Sequence, residues 1–155
     1  MTITIELAKI EDAEVLKAIS VEAFKSDFEL YSSYPQGIES LAWHRSEIEK
    51  RHYYKIQYNG ELAGGICVIP SDNEQIEIKY FFISRNFQNK RIGSKTMELI
   101  EKQYDWAKMW RLVTPYKSYR NHHFYEKFGY TKVSEIQPDP DEAFKVFEYI
   151  KEIGN

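Results

Sequence analysis

The stretch Phe81-Phe82-Ile83-Ser84-Arg85-Asn86-Phe87-Gln88-Asn89-Lys90-Arg91-Ile92-Gly93-Ser94 changes character twice. An apolar run ends at Ser84, a polar loop follows, and an amphipathic segment begins near Arg91. That order reads as strand, turn and helix start. The first N–H groups of a helix have no internal partner, and its dipole favours negative charge there, by up to ~2 kcal/mol in good geometry. A diphosphate is a natural guest. Gly93 lets a ligand come close to the backbone, and Lys90 and Arg91 place two cations beside it. Taken alone, the same residues also describe a solvated helix start with a small glycine for packing. Further on, Asn121 and Tyr125 are four residues apart and share one helical face. His122 and His123 are adjacent, so on a helix they point about 100° apart and are poorly placed to share a metal. There is no His-x-x-x-His or paired-cysteine pattern and no Gly-Lys-Ser/Thr run, so neither a metal site nor a nucleotide triphosphatase is expected.

The elements that must carry these residues follow from periodicity. Ile3, Ile5 and Leu7 alternate with polar residues as a half-buried strand. From Asp12, a candidate cap, Val15, Leu16, Ile19, Ala23 and Phe24 form a helical stripe. The stretch from Lys25 to Tyr34 reads as a loop or irregular helix. A second helix can start at Pro35, with Ile38, Leu41, Ala42 and Ile48 on its apolar face. Tyr53 to Tyr58 and Leu62 to Ile69 flank Asn59-Gly60, a strong hairpin signal because both turn residues must accept positive φ. Gln75 to Ile83 adds a third strand to an antiparallel meander. Then come a helix over Ile92 to Tyr104, a short strand over Trp110 to Thr114, and a helix over Ser118 to Phe128 closed by Gly129. Strands over Tyr130 to Glu135 and Ala143 to Ile150 end the chain. The expected architecture is an α/β fold, a mixed sheet with helices on its faces, in one domain over residues 1–155.

Bulk properties narrow the function. The 155 residues suffice for one sizeable core. A net charge of -3 carries no basic footprint for nucleic acid. The N-terminus lacks a signal-peptide pattern, and no apolar run is long enough to cross a bilayer, so no membrane partner is expected. The single cysteine, Cys67, excludes an internal disulfide and sits in the apolar run Gly65 to Ile69, where it reads as a buried structural thiol. A cytoplasmic setting fits these features.

Two stretches carry a family resemblance. Residues Phe81 to Ser94 resemble the acetyl-CoA signature of the GNAT (GCN5-related) N-acetyltransferase superfamily, with Gln88 in its first position and Gly93 in its last. Asn121 to Tyr130 resemble the family's second signature. The order of elements also fits, so the resemblance covers essentially the whole chain. It implies a GNAT-type acyl-CoA N-acyltransferase fold, with a mostly antiparallel sheet flanked by helices. It also implies acetyl-CoA as co-substrate and an amine of a small molecule or peptide as acceptor. Phe82 and Ile83 would supply backbone groups to the pantetheine arm and to the thioester oxygen. Gln88, Asn89, Lys90, Arg91, Ile92, Gly93 and Ser94 would hold the pyrophosphate, and Asn121 would bond the pantetheine or phosphate region. Tyr125 would act as the acid beside the departing sulfur, with a core tyrosine as its plain alternative. Glu77, on the meander strand, would be the base that activates the amine, with a salt-bridged strand residue as its plain alternative.

One position departs from the family pattern: Arg91 stands where the first glycine usually stands. If that position demands positive φ, arginine is strained there and the cofactor site is weakened or lost. If it demands only a small footprint, Arg91 points outward and pairs with a phosphate of CoA. The second is the expectation. The first sustains a rival reading, a CoA-binding sensor or interaction module without turnover. Asp27, Glu29 and Glu39 fall in the region that walls the acceptor site in the family, where they would greet a cation or, as is commoner, be solvated loop charges. A homodimer is expected to be permitted by an exposed, aromatic last strand.

Overall fold

A computed structural model describes residues 2–31, 34–88 and 90–154, with the backbone alone at 27 and 31. Strand β1 (Ile3–Leu7) alternates half-buried Ile3, Ile5 and Leu7 with exposed Thr4 and Glu6. Helix α1 (Ala13–Ala23) follows a 3-10 turn over Ile10–Asp12. The Asp12 carboxylate accepts from the Lys9 N–H at 2.8 Å, so it closes that turn and makes no side-chain cap on α1. Ala13, Leu16 and Ser20 set the buried face of α1, which rotates Val15 about 100° away into solvent, against the expected stripe.

Lys25–Tyr31 is a regular helix, α2, against the expectation of a loop or irregular helix. Residues 32–33 of that segment lie outside the described residues. Helix α3 (Leu41–Glu49) begins six residues later than Pro35. Gly37 at φ +93° breaks the helical path, and the Ser40 hydroxyl accepts from the Trp43 N–H at 3.1 Å as the true cap. Ala42, expected on its apolar face, is exposed.

Strands β2 (Tyr53–Tyr58), β3 (Glu61–Pro70) and β4 (Gln75–Ile83) form the expected meander. Asn59 and Gly60 make the first turn at φ 50° and 85°. Helix α4 (Ile92–Gln103) buries Ile92, Thr96, Met97 and Ile100. Strand β5 (Met109–Pro115) and helix α5 (Tyr119–Lys127) follow. Gly129 at φ 106° ends α5: its N–H donates to the Glu126 carbonyl, and the Tyr130 N–H reaches back to Tyr125 O at 2.9 Å. Strands β6 (Thr131–Ile136) and β7 (Val146–Glu152) end the chain.

The hydrogen-bonded order is β1-β2-β3-β4-β5-β7-β6. Strands β4 and β5 pair in parallel, over Gln75–Glu77 against Met109–Arg111. The fold is therefore mixed α/β on a mostly antiparallel seven-stranded sheet. The last strand is not an edge, because β7 is paired on both sides, with β5 and with β6. The expectation that β7 offers a free edge for a second copy is thus overturned.

Contacts divide the chain into two compact units, residues 1–68 with 80–105 and residues 69–79 with 106–155. In the first, Ala8, Ala13, Leu16, Ile48, Tyr53, Cys67 and Phe82 form one core cluster. Cys67 is a buried thiol, as expected. In the second, Trp110, Leu112 and Tyr149 are among the most deeply buried large side chains. No helix among the described residues is long and apolar enough to cross a membrane.

Candidate functional site

In the first unit, strand β4 delivers Phe82 and Ile83, and the chain then turns. Phe82 is buried and Ile83 half-buried. Two glycines of β3 allow β4 to come this close: a Cβ on Gly64 would lie 2.1 Å from the Phe82 carbonyl oxygen, and one on Gly65 would lie 2.7 Å from the Phe82 ring. The Ser84 N–H donates to Ala63 O at 2.7 Å, and a 3-10 turn follows over Arg85–Phe87. Gln88 and Lys90 are exposed; Asn89, expected to bind the phosphates, lies outside the described residues.

Arg91 is the N-cap of α4, with φ 58° and ψ 21° and no side-chain cap. The position does demand the left-handed region, so the premise that it needs only a small footprint is corrected. The guanidinium is nonetheless exposed, as that expectation held. The Arg91 carbonyl accepts from Lys95 N at 3.2 Å, which leaves the N–H groups of Ile92, Gly93 and Ser94 as the open first turn. Ile92 turns its side chain into the core, so only its backbone is available to a ligand. Gly93 is half-buried and Ser94 exposed. Lys90 and Arg91 thus flank a bare helix start. Lys90 Nζ also lies 5.8 Å from the Tyr58 ring centre, and Tyr58 in turn packs near Phe87.

The second unit holds Glu77, Asn121 and Tyr125. Asn121 and Tyr125 share α5. The Asn121 amide donates to Thr114 Oγ1 at 3.4 Å, while Tyr125 is buried with its ring 5.7 Å from Tyr130 and 6.3 Å from Tyr149. Burial pushes the Tyr125 phenol up, so it keeps its proton at neutral pH. Tyr149 donates its hydroxyl proton to Glu126 at 2.8 Å, which ties β7 to α5 beneath that ring. His122 is a packing residue with a ring nitrogen 2.9 Å from Pro115 O, and His123 is exposed.

Glu77 is ion-paired, as its plain alternative has it, and the partner is Arg111, whose Nη1 donates to Glu77 Oε2 at 3.1 Å. The Arg111 Nε donates to Glu148, which also accepts from Ser134 Oγ at 2.8 Å. The Ser134 hydroxyl, then Arg111, hold the Glu148 carboxyl below the ordinary carboxylate range. Arg111 was missed by the sequence reading. The arginine between Trp110 and Leu112 was in view, but which acid meets it depends on strand register. Of the three acids read as acceptor-wall or solvated loop charges, Glu29 and Glu39 are exposed, and the Asp27 side chain lies outside the described residues. Among the described residues, no group of three His, Cys, Asp or Glu is placed to hold a metal ion.

Comparison with known proteins bears on the family and the fold. The acetyltransferase (GNAT) family pattern matches residues 16–130. The PaiA N-acetyltransferase of Thermoplasma acidophilum, solved in complex with coenzyme A, is similar over 99% of this chain and 100% of its own, at TM-score 0.80 and 20% identity. Ard1 from Thermoplasma volcanium is similar over 100% of both chains, at TM-score 0.80 and 14% identity. The ribosomal-protein-S18-alanine N-acetyltransferase of Escherichia coli is similar over 99% of this chain and 96% of its own, at TM-score 0.77 and 14% identity. A curated relative, the uncharacterized protein YrkN of Bacillus subtilis (strain 168), is 34% identical over 73 residues. Those residues are 46% of this chain and 40% of YrkN, so the match spans less than half of that relative's length.

Proposed function

Because this chain belongs to the acetyltransferase (GNAT) family, we propose that it transfers an acetyl group from acetyl-CoA to a primary amine of a small molecule or peptide, by direct attack in a ternary complex. The observation that carries the reading is the open first turn of α4, flanked by the exposed cations Lys90 and Arg91. Backbone N–H groups and two positive charges suit a pyrophosphate. Gln88 and Ser94 complete that cradle, Asn121 serves the pantetheine or phosphate region, and the backbone of Phe82 and Ile83 serves the arm and the thioester oxygen. The structure of PaiA with coenzyme A supports CoA as the ligand class.

The chemistry asks little of side chains. An amine near pKa ~10 is mostly protonated at neutral pH, so a base must first take one proton. In this reading Glu77 takes it, directly or through one water, and passes it to solvent. The nitrogen then bonds the acetyl carbon, the C–S bond breaks, and the nitrogen's surplus proton ends on the sulfur through Tyr125. A phenol raised by burial is a poor outright acid. Its service is therefore a hydrogen bond to the sulfur as negative charge develops, in concert with proton transfer.

A second reading is a CoA-binding module without turnover, which the left-handed Arg91 favours. Calorimetry with acetyl-CoA followed by a thiol-release assay on aminoglycosides, polyamines and peptide N-termini separates the two. Binding with thiol release on at least one amine is expected. Binding without release on any would establish the module. Gly93→Trp is expected to abolish acetyl-CoA binding by calorimetry, and normal binding by that variant would refute the pyrophosphate assignment.

A further inference from the structure

We propose that Arg111 is a positioning residue for acetyl transfer, its guanidinium braced by Glu148 so as to hold the Glu77 carboxylate in a single orientation. The inference rests on the reading of Glu77 as the base.

The geometry is a relay of side chains across four strands. Glu77 on β4 and Arg111 on β5 are register partners, at the last of the three positions where these strands pair in parallel. The Arg111 Nη1 donates to Glu77 at 3.1 Å, and its Nε donates separately to Glu148 on β7. Ser134 on β6 closes the row, its hydroxyl 2.8 Å from the other oxygen of Glu148. Glu148 is thus held at both oxygens, and Arg111 is held at Nε, which leaves Nη1 aimed at Glu77.

Exposure falls along this row. The side chains are 38% exposed at Glu77, 33% at Arg111 and 19% at Glu148. The anchored end is the more buried, and the end that would meet an acceptor is the more open. A pair this open adds little to stability. It does fix a side chain that otherwise turns freely about three bonds, and a base works only within hydrogen-bond reach of the proton it takes. Arginine is the residue for this task, because its fork offers separate N–H groups to two carboxylates, whereas a lysine ammonium is a single point charge.

The test is a double-mutant cycle, read as kcat in thiol release with the best acceptor of the amine panel. Glu77→Gln is expected to lower kcat by about 100-fold. Arg111→Met is expected to lower kcat by about tenfold, with KM for acetyl-CoA unchanged, and to cost nothing further in the Glu77→Gln background. Arg111→Lys is expected to recover part of the loss. If Arg111→Met proves unstable, Glu148→Ala, which removes the brace, is expected to show a smaller loss with the same dependence on Glu77. An equal cost in both backgrounds would mean that Arg111 acts only structurally, and the proposal would fall while the base reading stood. A Glu77→Gln enzyme with wild-type kcat, or no turnover by the wild type on any amine, would sink the base reading and the proposal with it.

Discussion

Arg91 sits at φ 58° with its side chain in solvent, at the positive end of the α4 dipole. Both circumstances are unfavourable: a left-handed L-residue costs about 1–2 kcal/mol, and a cation is repelled by a helix N-terminus. Arg91→Gly is therefore expected to raise stability by about 1 kcal/mol in urea unfolding, less the chain entropy that glycine loses. If the guanidinium pairs with a phosphate, the same change weakens acetyl-CoA binding by calorimetry. Stabilisation together with tighter binding would show that Arg91 has no ligand role. Tyr125 poses a different question, because its burial among Tyr130 and Tyr149 would suit a core residue equally well. Tyr125→Phe keeps the packing and removes only the hydroxyl. It is expected to lower kcat by about 10²-fold or more while CoA affinity stays within twofold, and equal losses in both would argue for a packing role.

At the scale of elements, the path of β4 depends on β3. Gly64 approaches the Phe82 carbonyl so closely that an added Cβ would meet backbone at 2.1 Å, and backbone cannot swing aside as a side chain can. Gly64→Ala is expected to destabilise the protein by about 2 kcal/mol or more and to reduce turnover, since it displaces the Phe82–Ile83 backbone. Thermal unfolding and the thiol-release assay check the two effects, and an unchanged melting point would refute the close approach. The ends of α5 and α3 show how much of an element local chemistry announces. Gly129 closes α5 where a left-handed residue was needed, and that stop was legible in Phe-Gly-Tyr. The start of α3 was misread because Pro35 and Ser40 both signal a helix start, and only the turn at Gly37 decides between them.

At the scale of the molecule, the row Glu77, Arg111, Glu148 and Ser134 ties together four strands of different sequence separation. Glu148 is held below its ordinary range, first by Ser134 and then by Arg111. A carboxyl depressed in the folded state contributes stability that is full above its unfolded pKa and is lost as pH falls through the folded value. Urea midpoints are therefore expected to fall more steeply below about pH 4 in the wild type than in Glu148→Gln. Parallel curves for the two proteins would show that Glu148 is not a linked group.

The sequence by itself determined the kinds and order of the strands, the hairpin at Asn59-Gly60, the stop at Gly129 and the helix start that follows Ser84. Each of these is written in neighbouring residues, through period, turn chemistry and the missing partners of a helix terminus. The family, too, was readable from two short stretches. Only the tertiary structure decided that β7 is inserted beside β5, that Arg91 takes a left-handed backbone, and that Arg111 lies between Glu77 and Glu148. The Arg111 contacts depend on register between residues 34 and 37 apart in the chain, and a one-residue slip would send such side chains to the other face of the sheet.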